Sequence, residues 1–92
     1  MTKQNSEIYK RAIVKWGTRA QEGMFIEEIG EVLTAFNKRF RYTNGCTHDE
    51  FLEELVDLDI MLEQMRIIHD VLGQWDIIKN MKLARLEERL NR

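Results

Sequence analysis

Two pairs of acidic residues are the part of this sequence best suited to chemistry. Glu28 and Glu31 are three residues apart, and so are Glu54 and Asp57. Residues at this spacing share one face of an α-helix, so each pair would present two carboxylates a turn apart. Two such helices packed antiparallel would bring four carboxylates together. Because Mg²⁺ prefers oxygen ligands and keeps waters and substrate phosphates in its shell, the pattern is typical of a magnesium site.

The surroundings of Glu54 and Asp57 strengthen this interpretation. A helical wheel places both carboxylates among the apolar side chains of their helix. The opposite, polar sector is expected to face solvent and comprises Asp59, Glu63, Arg66 and Asp70. A carboxylate in apolar surroundings costs several kcal/mol unless it is neutralised, paired or bound to a cation. The alternative to a cation is a salt bridge to Lys38, Arg39 or a neighbouring subunit.

The first pair gives a weaker signal. Glu28 lies at the border of an apolar stripe on its helix, with Glu31 one turn farther on. Among sixteen acidic residues, a pair at this spacing also occurs on an ordinary charged helix face. Glu28 and Glu31 are therefore expected to bind metal only if the fold brings them close to Glu54 and Asp57.

Helices are predicted throughout the chain, which has no proline, five glycines and no alternating β-branched pattern. The expected helices run from Asn5 or Ser6 to about Trp16, from Arg19 to Phe40, from Thr47 to near Gly73, and from Gln74 to Leu90. Thr47 and Glu50 have capping-box spacing at the start of the third helix. Gly17 and the Asn44-Gly45 pair are the expected breaks. We expect one all-α domain over residues 1–92.

Composition excludes several classes of protein. The 92 residues are 43% apolar and 33% charged, and no apolar run approaches the roughly 20 residues of a transmembrane helix. The formal net charge of −2 argues against nucleic-acid binding by electrostatic attraction. A single cysteine, Cys46, and a polar N-terminal segment favour the reducing cytoplasm. We therefore expect neither a membrane nor a nucleic-acid partner.

The acidic pairs also lie within recognisable motifs. Glu27-Glu28-Ile29-Gly30-Glu31, followed by Glu54-Leu55-Val56-Asp57, resembles the EExxE and ExxD signature of MazG-type nucleoside triphosphate pyrophosphohydrolases, within the all-α NTP pyrophosphatase superfamily. Residues 12–17 and Lys79–Arg89 also resemble that family's flanking segments. The resemblance implies a four-helix bundle-like MazG fold. It further implies Mg²⁺-dependent hydrolysis, with Mn²⁺ able to substitute, of an NTP or dNTP between its α and β phosphates, in nucleotide-pool housecleaning.

The resemblance assigns roles to the acidic residues. Glu28, Glu31, Glu54 and Asp57 take the metal-ligand positions. Glu27 takes the first acidic position, for which an outer-shell or water-orienting role is expected. Either Glu31 or Glu27 would accept the proton of the attacking water, and the sequence does not choose between them.

Phosphate and base recognition are assigned to residues outside the motifs. Lys79, Lys82 and Arg85 are three apart on the last helix and are expected to hold phosphates, the alternative being a solvated basic face. Trp16 and Gln21 are the expected base-binding residues. Other aromatic candidates for base stacking are Phe36, Phe40 and Tyr42, of which the two phenylalanines also fit a core stripe.

The third helix carries apolar residues on a second side, comprising Val56, Ile60, Ile67 and Val71. A 92-residue monomer cannot easily cover both sides. We therefore expect a homodimer or homotetramer with the active site near or across the subunit interface. The competing functional class is a non-catalytic helical interaction or regulatory protein that retains the fold.

Overall fold

The computed structural model describes residues 3–41 and 45–92, with side chains from residue 5 onward. Its elements are α1 (Lys3–Trp16), α2 (Thr18–Arg41), α3 (His48–His69) and α4 (Trp75–Leu90). The described residues form helices and no strand, so the predicted all-α class is confirmed. Two predicted boundaries differ, because α1 already begins at Lys3 and α3 ends at His69, before Gly73. Tyr42 and Asn44 lie outside the described residues.

Gly17 separates the first two helices. Its φ of +92° lies in the left-handed region, where a residue with a Cβ is strained. The Gly17 amide donates to the Ile13 carbonyl at 2.8 Å, and the Gly17 carbonyl accepts from the Gln21 amide at 3.1 Å. One glycine therefore closes α1 and opens α2, which sets the position of Gln21 in the first turns of α2.

Thr47 caps α3 as the sequence predicts. Its backbone is extended, and its Oγ1 accepts a hydrogen bond from the Glu50 amide at 3.1 Å. A threonine at this position satisfies one of the amides that lack a partner inside the helix. The cap therefore fixes where α3 begins, and with it the register of Glu54 and Asp57.

The connection from α3 to α4 depends on residues that the sequence analysis placed on a solvent-facing side. Asp70 Oδ1 accepts from the amides of Gln74 at 2.7 Å and Trp75 at 3.1 Å. Arg66 donates to Asp76 at 2.9 Å, with its guanidinium 5.6 Å from the centre of the Trp75 ring. Glu63, Arg66 and Asp70 are half-buried and Asp59 is exposed, so the solvent-facing prediction was wrong for the first three and holds for Asp59. Arg66 and Asp70 are covered because α4 leaves α3 from this side.

The main packing is between α2 and α3, and α1 contacts both. Gln21 at the start of α2 meets Gln64 near the end of α3, whereas Phe36 near the end of α2 meets Phe51 in the first turn of α3, with ring centroids 5.4 Å apart. The two helices are therefore antiparallel. The buried residues between the helices are Gln21, Ala35, Met61, Gln64 and Met65.

The fourth helix does not join this packing. Residues of α4 are exposed except for half-buried Trp75, and none is buried. A helical-bundle class fits the chain, with three helices packed together and the fourth apart. None of the described helices has the length and apolar content needed to cross a membrane.

Large apolar side chains are exposed on all four helices. Val14 is 85% exposed, Leu33 61%, Val56 54% and Met81 67%. The second apolar side predicted for α3 is thus uncovered at Val56. Monomeric soluble proteins rarely expose extensive apolar patches, which usually mark interaction sites.

Candidate metal centre

The antiparallel packing of α2 and α3 brings three of the four predicted metal ligands together. One carboxylate oxygen from each of Glu28, Glu54 and Asp57 lies within 4.8 Å of the other two. Glu28 and Glu54 are half-buried, and Asp57 is exposed. The half-buried position of Glu54 agrees with the apolar arc predicted on α3. Asp57 lies at the open edge of the group, so the prediction of apolar surroundings does not hold for it.

Glu31, the fourth predicted ligand, lies beside this group but is not part of it. It is exposed, and it lines a cavity of about 100 Å³ with Glu54, Lys38 and Cys46. Glu31 lies about one turn farther along α2 than Glu28, and its carboxylate is not among the oxygens that meet within 4.8 Å. Glu27, the expected outer-shell residue, is exposed next to Glu28.

The basic residues considered as alternative partners do not pair with the cluster. Of the ion pairs among described residues, none involves Glu54 or Asp57. Lys38 lines the small cavity without an ion pair to either residue, and the Arg39 guanidinium lies 5.5 Å from the centre of the Phe51 ring. No basic side chain among the described residues therefore forms an ion pair with Glu28, Glu54 or Asp57.

Glu28 is the most perturbed of these carboxylates. Its Oε2 is sealed from solvent and has no hydrogen-bond partner in the described chain. Desolvation by burial, followed by the negative charges of Asp57, Glu54, Glu31 and Glu27, raises the pKa of Glu28 above its ordinary value of 4.5. Both causes disfavour the ionised form. A carboxylate in this position would gain more from a bound cation than an ordinary surface carboxylate.

The predicted phosphate-binding residues lie elsewhere in the chain. Lys79 and Lys82 line an open, mainly apolar groove of about 690 Å³ with Leu62 and Trp75. Arg85 is exposed on α4 and does not line this groove. The structure of one chain thus places these cations and the carboxylates in different concavities.

The predicted base-binding residues, by contrast, share one cleft. Trp16 and Gln21 line a space of about 520 Å³ with Met24, Met61 and Gln64. Met24 lies one helical turn before Glu28 on α2, and Met61 lies one turn after Asp57 on α3. One turn is about 5.4 Å, so the end of this cleft formed by Met24 and Met61 lies about one turn from the acidic group.

The other aromatic candidates for base stacking lie away from this cleft. Phe36 and Phe40 contact each other with ring centroids 4.7 Å apart, and Phe36 also contacts Phe51 near the start of α3. These contacts agree with the packing alternative. Tyr42 lies outside the described residues.

Sequence reasoning missed Gln64. Its amide is buried and accepts a 2.7 Å hydrogen bond from Gln21. The helical wheel that places Glu54 and Asp57 in an apolar arc also places Gln64 there, about 20° from Asp57. A polar residue in that apolar arc could have indicated a buried hydrogen bond.

No protein-family model, curated protein or solved structure matches this chain. The resemblance to MazG-type enzymes therefore rests on the two sequence motifs, and membership of that family remains a prediction.

Proposed function

We propose that this chain is a MazG-like, Mg²⁺-dependent nucleoside triphosphate pyrophosphohydrolase, converting an NTP or dNTP to the monophosphate and pyrophosphate. The observation that carries the proposal is the meeting of Glu28, Glu54 and Asp57 within 4.8 Å. The sealed Oε2 of Glu28, which has no partner among the described residues, supports it. Like charges at this separation repel one another, and a divalent cation would offset that repulsion.

The donor atoms fit magnesium. All three residues offer carboxylate oxygens, which are the ligands that hard cations prefer. Asp57 is exposed, so one side of the group is open to water and to a phosphate group. Glu28, Glu54 and Asp57 would hold the ion, and the EExxE motif assigns Glu31 to the same set. Mn²⁺, which also accepts oxygen ligands, would substitute.

The chain's own residues would divide the remaining work of hydrolysis. A bound Mg²⁺ would supply neutralisation of phosphate charge and a lowered pKa for the attacking water. Glu31 or Glu27, both exposed beside the acidic group, would accept the proton of that water. Trp16 and Gln21 would bind the base, with Gln21 about two helical turns before Glu28 on α2, so that sugar and phosphates extend toward Glu28 and Asp57.

The phosphate-binding role of Lys79, Lys82 and Arg85 requires a second copy of the chain, because one chain holds them apart from the carboxylates. We propose a homodimer or homotetramer in which α4 of one subunit packs against another subunit. The apolar groove along α4 is bordered by Lys79, Lys82 and Arg89. A strip on α3 offers the complementary surface, with Leu52 and Val56 beside Asp49, Glu53 and Asp57.

Pyrophosphate detection with a panel of ordinary, deoxy and damaged triphosphates tests the proposed activity. Product should form with Mg²⁺ or Mn²⁺ and not with EDTA. Glu54→Gln and Asp57→Asn should each abolish turnover while circular dichroism at 222 nm remains unchanged. Asp59→Asn is the matched control, since Asp59 is an exposed acid on α3 outside the cluster and should leave turnover intact.

The second candidate function is a non-catalytic helical interaction or regulatory protein. It is favoured by the exposed apolar side chains and by α4, which has no buried residue. If the full panel gives no pyrophosphate with either metal, the interaction function replaces the enzymatic one. Either function suits the cytoplasm, where single Cys46 would stay reduced.

A further inference from the structure

Two buried glutamines form the polar floor of the cleft lined by Trp16, Ala20, Gln21, Met24, Met61 and Gln64, here called the glutamine cleft. Gln21 is 5% exposed and Gln64 is 4% exposed. Gln21 Nε2 donates to Gln64 Oε1 at 2.7 Å, and Gln64 Nε2 donates to Met61 Sδ at 3.6 Å. Buried amides in helical cores are uncommon, and each needs its polar atoms satisfied.

This chain of hydrogen bonds has a defined direction. A thioether has no proton, so the Gln64 atom that contacts Met61 Sδ must be the Nε2 donor. Gln64 Oε1 then points to Gln21 and requires a donor there, which turns Gln21 Nε2 inward. The Met61 sulfur, a weak acceptor, therefore favours this orientation of both amides.

The remaining atom of interest is Gln21 Oε1. It accepts no hydrogen bond from the described residues. The sealed, unpartnered side-chain atoms of the described chain are Glu28 Oε2 and Glu63 Oε2, so Gln21 Oε1 is not completely sealed, and the Gln21 side chain lines the cleft. The glutamine cleft is thus lined by Gln21, whose acceptor atom no described residue uses, and by Trp16, which is 59% exposed.

We propose that the glutamine cleft selects nucleobases that carry an exocyclic amino group, adenine and cytosine, over the oxo bases hypoxanthine and uracil. Gln21 Oε1 accepts from the amino group, and the base ring contacts the Trp16 indole. An oxo base in the same position places its carbonyl oxygen against Gln21 Oε1, and two acceptors cannot form a hydrogen bond with each other. Met61 and Gln64 are positioning residues that hold Gln21 in this orientation. The inference rests on the proposed nucleotide substrate.

Binding of nucleosides tests the selectivity without metal or hydrolysis. In a Trp75→Phe background, Trp16 is the one remaining tryptophan, and its fluorescence reports ligands in the cleft. Adenosine should bind at least about tenfold more tightly than inosine, and cytidine than uridine, because each oxo partner lacks the donor the site requires. Equal affinities within both pairs, or no fluorescence change with any nucleoside, would overturn the inference.

Variants test the role of the positioning residues. Met61→Leu keeps an apolar side chain but removes the sulfur acceptor, so the amides can reverse and the amino-to-oxo affinity ratio should fall toward one. Gln64→Met should have the same effect by removing the acceptor for Gln21. Met81→Leu, the same exchange at an exposed position on α4 outside the cleft, should keep the wild-type ratio. An unchanged ratio in folded Met61→Leu or Gln64→Met would overturn the positioning role.

The two proposals fail in different ways. If no triphosphate yields pyrophosphate but nucleosides bind with amino selectivity, the proposed hydrolysis is wrong and the cleft remains a nucleobase site. If triphosphates are hydrolysed with no preference for ATP over ITP or for CTP over UTP, the hydrolysis stands and the amino-base selectivity is overturned.

Discussion

Replacing Glu28 with glutamine should stabilise the metal-free protein while weakening its response to magnesium. The substitution keeps the shape of the side chain and removes the charge that is desolvated and faces Glu54 and Asp57. The new amide can also donate hydrogen bonds to the neighbouring carboxylates. An ordinary surface Glu→Gln exchange has neither effect. An increase in the stability of the metal-free protein would therefore indicate that the Glu28 charge is unfavourable in the folded state.

The structure sets the expected magnitude. Two like charges 4.8 Å apart repel by about 1 kcal/mol in a water-like medium and by about 3.5 kcal/mol at an effective permittivity of 20. Asp57 is exposed, so solvent screening brings its repulsion toward the lower figure. Removing the Glu28 charge should therefore raise the free energy of unfolding by about 2 kcal/mol. In a domain of this size that corresponds to a Tm increase of about 10 °C.

Thermal unfolding followed by circular dichroism at pH 7.5, with EDTA and then with Mg²⁺, measures both effects. In EDTA, Glu28→Gln should melt above the wild type. Saturating Mg²⁺ should raise the Tm of the wild type much more than that of the variant, since ligand binding to the folded state adds stability. Glu7→Gln, at an exposed position on α1, is the control. Its Tm in EDTA and its increase in Tm with Mg²⁺ should equal those of the wild type. An EDTA Tm at or below that of the wild type would refute the electrostatic reasoning.

The same residue gives a pH dependence of known sign. Because the folded-state pKa of Glu28 lies above 4.5, the folded protein binds the proton more tightly than the unfolded chain does. Stability of the metal-free wild type should therefore fall as pH rises from about 4.5 through the folded pKa, and stay reduced above it. Glu28→Gln should lack this part of the profile. A rise in wild-type stability over that interval, relative to the variant, would contradict the assignment.

Three further predictions concern assembly and the helix ends. Size-exclusion chromatography with light scattering should show a species heavier than the 11.0 kDa monomer, and Leu86→Lys in the α4 groove should shift it toward the monomer. Asp70→Ala should remove two hydrogen bonds at the start of α4, costing about 1 kcal/mol and speeding hydrogen exchange in the first turn of α4. Thr47→Ala should cost a similar amount in denaturant unfolding, whereas Thr47→Ser should restore most of it, because serine keeps the capping oxygen.

Local signals in the sequence were enough to predict the helices. Gly17 ends α1 because its positive φ suits glycine, and Thr47 begins α3 because its hydroxyl caps an amide. Both effects act within four residues, so they can be read without knowing the fold. The helical wheel likewise anticipated that Glu54 lies between the helices.

The parts that could not be predicted depend on how the helices approach one another. A wheel gives the direction of Glu31 but not its distance from Glu54, and the structure leaves Glu31 outside the acidic group. Asp57 is exposed because it lies at the edge of the contact between α2 and α3, which no single-helix pattern encodes. The role of Asp70 depends on the direction of α4, and its sequence neighbours give no sign of it.

The connection between α3 and α4 affects how tightly subunits could associate. The two hydrogen bonds to Asp70 and the Arg66–Asp76 ion pair hold the first turn of α4 at a set angle before any partner arrives. An apolar helix on a flexible linker would lose conformational entropy when it docked, and this loss would weaken association. In this chain the orientation of α4, which carries Ile78 and Leu86, is set before binding. A second subunit would therefore bind a preorganised surface.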